Sequence, residues 1–489
     1  MSFKTRLLTT YQSKNSDPSI SDLSPGFSLS LSLFNQHNSS RYPYLLSSSA
    51  ARQNNSQYDI LIACPQYSLT LNSDKSLHCT NKDLAVAEDF FQSLENLYQQ
   101  NKVEACDNSE NLPFTGGWFV YLSYEMAEEI EPCLSLPSLP ASQPLAVAAR
   151  CPAAIIVDKK NNQCIAVAES GYEYLLDEIE QDFLSIKSAI DGPSSAKNKI
   201  ELESLIEADS ALYLQQVEKI KQYIVDGDIF QANLSRQWQA VLKQNVADSV
   251  LFETLSKHNP SSFAAMVCLP NMTIISSSPE RLVSLSNGIV ETRPIAGTRP
   301  RDENQQSDAA LAEELLSHPK EQAEHIMLID LERNDLGRVC RPGTIEVNEL
   351  MVLESWQHVH HIVSNVRGEL DSNKSPVDVL RAVFPGGTIT GCPKVRCMEI
   401  LAEMEQQARG AYTGSLGYIN NDGSMDFNIL IRTMVRGKGS DNNKITFRAG
   451  GGIVSDSIAE KELEETRAKA KGLLKIFRLD GDAQTWPDK

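Results

Sequence analysis

The chain has 489 residues, 41% of them hydrophobic and 22% charged, with 45 lysines and arginines against 64 aspartates and glutamates and a formal net charge of −19. That length holds roughly two to four domains of about 150 residues, or one large interleaved β-rich fold, and the composition is that of a globular protein. The negative field repels phosphate backbones and anionic membrane surfaces, so neither nucleic acid nor membrane is an expected partner, and a small dianionic ligand would need a locally positive site.

The N-terminus, MSFKTRLLTTYQSKNS, has no apolar export segment, and no uncharged apolar run reaches the length of about 18 residues that spans a bilayer. The ten cysteines show no CxxC spacing and read as reduced thiols, so a cytoplasmic protein is expected. Residues 10 to 55 are Ser- and Asn-rich, and the alternation in FSLSLSLF predicts half-buried strands there. A proline-rich stretch follows at 136 to 147, and AAIIVD then reads as a strand. AIDGPSSAKNKI, around 189 to 200, carries Gly, Pro and Ser between two helical patterns and predicts a linker dividing a region 1–190 from a region 200–478.

Beyond the linker, Val217, Ile220 and Ile224 recur at helical spacing, Gly227 stops that helix, and IFQANLSRQW reads as a strand. FAAMVCL, MTIISSS, RLVSLS and GIVETRPIAG continue the β pattern, and helices are expected at 318 to 332, 392 to 405 and 457 to 477. Because strands and helices do not alternate, the expected class is α+β with large antiparallel sheets. There is no internal repeat.

Two acidic segments could carry chemistry. In KEQAEHIMLIDLERND, with Ser317 and Pro319 marking the helix start, Glu321 and Glu324 are three apart and share a helix face. In SDSIAEKELEETRAKAKGLL, with Asp456 or Ser457 as N-cap, Glu462 and Glu465 repeat that spacing and Lys469 follows one turn on. Two such pairs would supply hard oxygen ligands for Mg²⁺, though solvated surface faces have the same spacing. The glycines of FPGGTITGCPK and FRAGGGIVSDS suit either carboxylate binding by bare N–H groups or tight turns. In QHVHHIVSNVRGEL, strand alternation puts His358 and His360 on one face and His361 on the other, where it could be an acid or base or a hydrogen-bonded strand residue. No HExxH helix or GxSxG elbow is present, which leaves zinc proteolysis and serine hydrolysis unsupported.

Together, SPERLV, RPIAGTRPR, EQAEH, LIDLERNDLGRV, HVHHIVS, PGGTITGCPKVRCMEI, GSLGYI, MDFNILIRT and GGGIVSDS, in this order, resemble the chorismate-utilising enzymes, the family of anthranilate, aminodeoxychorismate and isochorismate synthase large subunits. The resemblance covers about 210 to 477 strongly and the region before the linker weakly. It implies a two-layer sandwich of large antiparallel sheets flanked by helices, and an enzyme acting on chorismate. It places Glu321, Glu324, Glu462 and Glu465 at the family's Mg²⁺ cluster, and Arg432, Tyr412, Lys469, Gly450 and Gly452 around the enolpyruvyl carboxylate. It also places Gly297 and Thr388 at the substrate lining, Glu280 at the acid/base that helps the ring hydroxyl leave, and His361 beside the ring.

Gln231 stands where water-using members carry a lysine base, and an amide cannot deprotonate water, so ammonia is the expected nucleophile. PGGTITG, AGGGIV, QANLS and NPSSF resemble the aminodeoxychorismate synthase branch, which implies the 4-amino product and a place in 4-aminobenzoate and folate synthesis. Ala296, where many of that branch carry a lysine that adds to the ring, is instead as in anthranilate synthase, the alternative reading; a catalytically inactive scaffold relative is a third. YPYLLSSSA resembles an element that binds tryptophan in relatives, with Ser48 at the serine and Ser47 replacing a glutamate; an ordinary strand is the other reading. The chain lacks an amidotransferase GxCxGxQ segment and ends soon after the second acidic helix, so the resemblance implies a glutamine amidotransferase subunit as partner in a heterodimer.

Overall fold

The computed structural model describes residues 3–10, 30–48, 57–103, 112–190, 200–302, 304–355 and 359–479. Two sheets account for the strands of this region, one of 13 and one of 11. The first runs from Phe3–Thr10 through Gln163–Glu169, Ala153–Asp158, Tyr58–Ala63, Tyr44–Ser47, Phe263–Cys268, Met272–Ser278, Thr433–Gly437, Lys444–Ile453, Gln231–Leu242 and Glu201–Glu207 to Arg478–Leu479. The second runs from Ile295–Pro300 through Val359–Glu369, Ile289–Thr292, Arg281–Ser286, Met425–Ile429, Ser415–Asn420, Gly117–Leu122, Ala146–Cys151 and Tyr67–Leu71 to Leu77–Cys79. Pairing is antiparallel throughout except between Glu201–Glu207 and Arg478–Leu479. Strands from before and after the expected linker lie side by side in both sheets: Tyr44–Ser47 pairs with Phe263–Cys268, and Gly117–Leu122 with Ser415–Asn420. The linker residues 191–199 lie outside the described residues.

One face of each sheet meets the other in a dry layer that includes Tyr44, Ile62, Ile156 and Ile274 from the first and Phe119, Tyr121, Val147 and Tyr418 from the second. The outer faces are covered by helices: Tyr174–Ile190 and Asp248–His258 over the first, Phe90–Asn101 and Pro376–Val383 over the second. This is an α+β, two-layer sandwich flanked by helices, as the resemblance implied. Strands such as Gly117–Leu122, buried on both faces, are apolar at every position, so they carry no alternation.

Three local expectations are corrected. In FSLSLSLF, Ser32–His37 is a short helix, because Phe34 is wholly buried edge-on to Tyr42 and Ser32 hydrogen-bonds Glu253. Tertiary burial there overrides the alternating pattern. The second acidic helix, Ala459–Leu474, has Ile458 as its N-cap with no side-chain cap; the Ser457 hydroxyl instead accepts from Val454 N at 3.1 Å. Ser317 ends the preceding helix, Gln305–Ser317, and His318 is the N-cap of Pro319–Leu336.

Candidate active site

Two chain crossings between the sheets meet at one point. Pro279 and Glu280 lead from Met272–Ser278 in the first sheet to Arg281–Ser286 in the second, and Leu430 to Arg432 lead back from Met425–Ile429 to Thr433–Gly437. Ile429 N donates to Glu280 O at 3.0 Å and Ser277 N to Arg432 O at 3.1 Å, which locks the two crossings together. Arg432 takes a left-handed backbone, φ 50°, a conformation rare for a side chain of its size. The crossings thereby bring an acid and a cation into one buried site.

Glu280 is 5% exposed and its carboxylate accepts from Thr388 Oγ1 at 2.7 Å. Burial pushes its pKa up to about 7, against the opposing pull of Thr388, Arg432 and Lys469. A carboxyl so placed can hold a proton near neutral pH and release it to a leaving oxygen. His361, on Val359–Glu369, shares its Nδ1 with Thr298 Oγ1 at 3.0 Å and Gly297 O at 3.2 Å. Burial brings its pKa down to about 4, so it is a neutral imidazole rather than a cation. Gly297 sits at a register shift in Ile295–Pro300 with φ 61°; a Cβ there would lie 2.8 Å from Glu321 Oε2, so glycine serves both backbone and space.

The glycine run 450–452 forms part of Lys444–Ile453, paired to Gln231–Leu242 with Gly450 opposite Ser235 and Gly452 opposite Asn233. A Cβ on Gly450 would lie 2.9 Å from the Tyr412 hydroxyl, and one on Gly452 only 2.2 Å from Gln231 Nε2. Gly450 needs bare backbone, since a Cβ there would also lie 2.5 Å from Leu234 O, while at Gly452 the space is taken by the end of the Gln231 side chain. Lys469 reaches back from its helix to donate to Gly450 O at 2.9 Å, and it also pairs with Glu465 at 2.8 Å. Gln231, Tyr412, Lys469, Gly450 and Gly452 are thus gathered on one wall.

The four glutamates fall into two groups. Glu462 Oε2 and Glu465 Oε1 would lie 3.3 and 3.4 Å from a Cβ on Gly451, so both carboxylates lean over one glycine. Glu321, on Pro319–Leu336, is engaged by Arg299 at 3.2 Å, and Glu324, half-buried, lies one turn further along. Among the described residues no three His, Cys, Asp or Glu side chains gather closely enough for one metal ion. The donor chemistry, carboxylates alone, is that of a hard cation. Ser48, which ends the segment after Tyr44–Ser47, lies elsewhere on the first sheet; its hydroxyl is buried without a partner while its N–H donates to Asp59 at 2.9 Å. His358 and Cys106 lie outside the described residues; the other nine cysteines form no disulfide with one another.

A buried ionic cluster behind the wall was not foreseen. Glu405 accepts from Arg409 at 2.7 Å, from Arg448 at 2.8 Å and from Ser235 N at 2.9 Å. Burial opposes its charge, yet Arg409 and Arg448 hold the carboxyl below the ordinary value. Arg409 also lies over the Tyr124 and Tyr412 rings, so the cluster fixes Tyr412 from behind. Asn233 was likewise passed over, although it lies within the quoted QANLS segment.

A family profile described as chorismate binding enzyme matches residues 42–475. The chain is 43% identical over 368 residues to an anthranilate synthase component I-like protein of Synechocystis sp., covering 75% of this chain and 73% of that one. It is 48% identical over 268 residues to aminodeoxychorismate synthase component 1 of Bacillus subtilis, covering 55% of this chain and 56% of that one. In three dimensions it matches anthranilate synthase component I from Streptococcus pneumoniae with a TM-score of 0.73 at 30% identity, over 86% of this chain and 93% of the other. Among the described residues no helix is long and apolar enough to cross a membrane.

Proposed function

We propose, from the premise that this chain belongs to the chorismate binding enzymes, that it is an aminodeoxychorismate synthase large subunit that aminates chorismate with ammonia. The observation that carries the chemistry is Glu280, buried, held by Thr388 and poised near neutral pH beside Arg432. Glu280 gives its proton to the departing ring hydroxyl, which leaves as water when the ring carbon–oxygen bond breaks. Ammonia forms the carbon–nitrogen bond, and the proton that the new amine sheds restores Glu280. Neutral His361 packs beside the ring, while Arg432, Tyr412 and the N–H groups near Gly450 and Gly452 receive the enolpyruvyl carboxylate.

Glu462 and Glu465, with Glu321 and Glu324 from Pro319–Leu336, are the residues that would hold Mg²⁺, and an all-oxygen donor set is the chemistry it takes. When bound, the ion supplies positive charge for the substrate's ring carboxylate, which the negative field of the chain otherwise repels. Arg299 and Lys469 pair with Glu321 and Glu465 of these two sets. Ammonia is supplied by a separate glutamine amidotransferase subunit.

The second reading, anthranilate synthase, is favoured by Ala296, which pairs with Ile362 and offers no amine to the ring. The deciding experiment incubates the purified chain with chorismate, Mg²⁺ and ammonium, with and without an aminodeoxychorismate lyase. 4-Aminobenzoate that appears only with the lyase supports the first reading; fluorescent anthranilate without it replaces that reading with the second. Absence of either product overturns amination.

A further inference from the structure

Two buried acceptors on one strand, one of them linked to the acid, have nothing to accept. Gln231 Oε1 and Asn233 Oδ1 are shut off from solvent, and neither has a hydrogen-bond partner. Orphaned buried acceptors are rare, because each forfeits its hydration without replacement. These two are not independent accidents. Residues 231 and 233 sit two apart on the Gln231–Leu242 strand, so their side chains leave the same face of the sheet.

Their orientation is set by neighbours. Asn233 Nδ2 donates to Thr388 O at 3.3 Å, which turns the amide oxygen away from that carbonyl. The Thr388 hydroxyl donates in turn to Glu280. A chain of two hydrogen bonds thus links the Asn233 amide to the acid. The Gln231 amide reaches Gly452, the residue opposite Asn233, where a Cβ would lie 2.2 Å from its Nε2.

A pair of neutral amide oxygens calls for a small donor-rich guest. Ammonia has three N–H donors and one lone pair; two donors can bond the two oxygens while the lone pair stays free to attack. Water held in the same way would lack a base to take its proton, since an amide oxygen has no basicity near neutral pH. We infer that Gln231 and Asn233 together form the ammonia subsite, and that Asn233, tied through Thr388 to Glu280, sets the nucleophile's position relative to the acid. This rests on the amination reading and adds a residue to it.

The test varies ammonium at saturating chorismate and Mg²⁺ for the wild-type chain, Asn233→Ala and Gln231→Met. Each variant should raise the KM for ammonium about tenfold, the effect of one lost hydrogen bond of ordinary strength, with the KM for chorismate unchanged within about twofold. A purely structural role for Asn233 would instead move both constants or kcat alone. If Asn233→Ala does not fold, as judged by circular dichroism, Gln231→Met decides the matter, because it keeps the volume and leaves the Thr388 contact intact. Amination by the wild type with an unchanged ammonium KM in the folded variants overturns the subsite alone. A wild type that never aminates chorismate overturns the amination reading, and the subsite with it.

Discussion

Glu280, Thr388 and His361 are held by burial and neutral hydrogen bonds, whereas Glu321 and Glu465 ride on helix faces, each with a cation leaning on it. Of the first group, Glu280 sits where the chain crosses between sheets, His361 lies on the strand Val359–Glu369 and Thr388 in the short turn Gly387–Ile389, so their geometry is fixed by the sandwich and the turn packed on it. The second rides on two helices, Pro319–Leu336 and Ala459–Leu474, each carrying one pair of acids. A buried carboxyl acquires its proton from its surroundings; an exposed one keeps its charge and waits for a counter-ion. One region is thus preset by the fold, and the other by which cations pair with its carboxylates.

That contrast can be broken by substitution. The largest effect is expected for Glu324→Ala, which should abolish Mg²⁺-dependent turnover while thermal unfolding stays within about 1 kcal/mol of wild type, since no core contact is lost. Retained activity would remove the metal assignment. Glu280→Gln should lower kcat by about 10²–10⁴-fold with little change in chorismate binding, measured by steady-state kinetics and by titration; an effect on binding alone would contradict its role as acid. Glu405→Gln should cost roughly 3–5 kcal/mol in denaturant unfolding, because Arg409 and Arg448 would be left buried without their shared anion.

The smallest effect sharpens the comparison through pH. With Glu280 at about 7, kcat should fall about tenfold per unit as pH rises beyond that value, and Glu280→Gln should erase this limb. The stability sign is the same: a carboxyl with a raised pKa in the fold holds its proton more tightly there, so its contribution is present below its ordinary value of 4.5 and is lost as pH rises through about 7. His361, brought down to about 4, should add no limb between pH 5 and 9. A limb near its ordinary value of 6.5 would show that it titrates.

Much of the site was legible because short spacings survive folding. Glu462 and Glu465 are neighbours on any helix, and 459–474 is one; His361 points opposite to His360 on any strand, and 359–369 is one. Gln231 and the glycines 450–452 were read separately, and strand pairing alone made them partners. The short helix at Ser32–His37 went unread because its cause, a pocket for Phe34, is built by distant residues. The Glu405 cluster went unread for the same reason: Arg409 is four residues away, but Arg448 is 43 away and arrives only through the sheet.

By itself the sequence determined the element types outside Ser32–His37, the two acidic helix faces and the order of segments that marks the family, because each depends on contacts within a few residues. Only the tertiary structure decided that Glu280 is protonatable near neutral pH, that His361 is neutral, and that Gln231 and Asn233 are orphaned acceptors. Those properties come from burial and from neighbours brought together across two sheets, and no local pattern encodes how much water a side chain will lose.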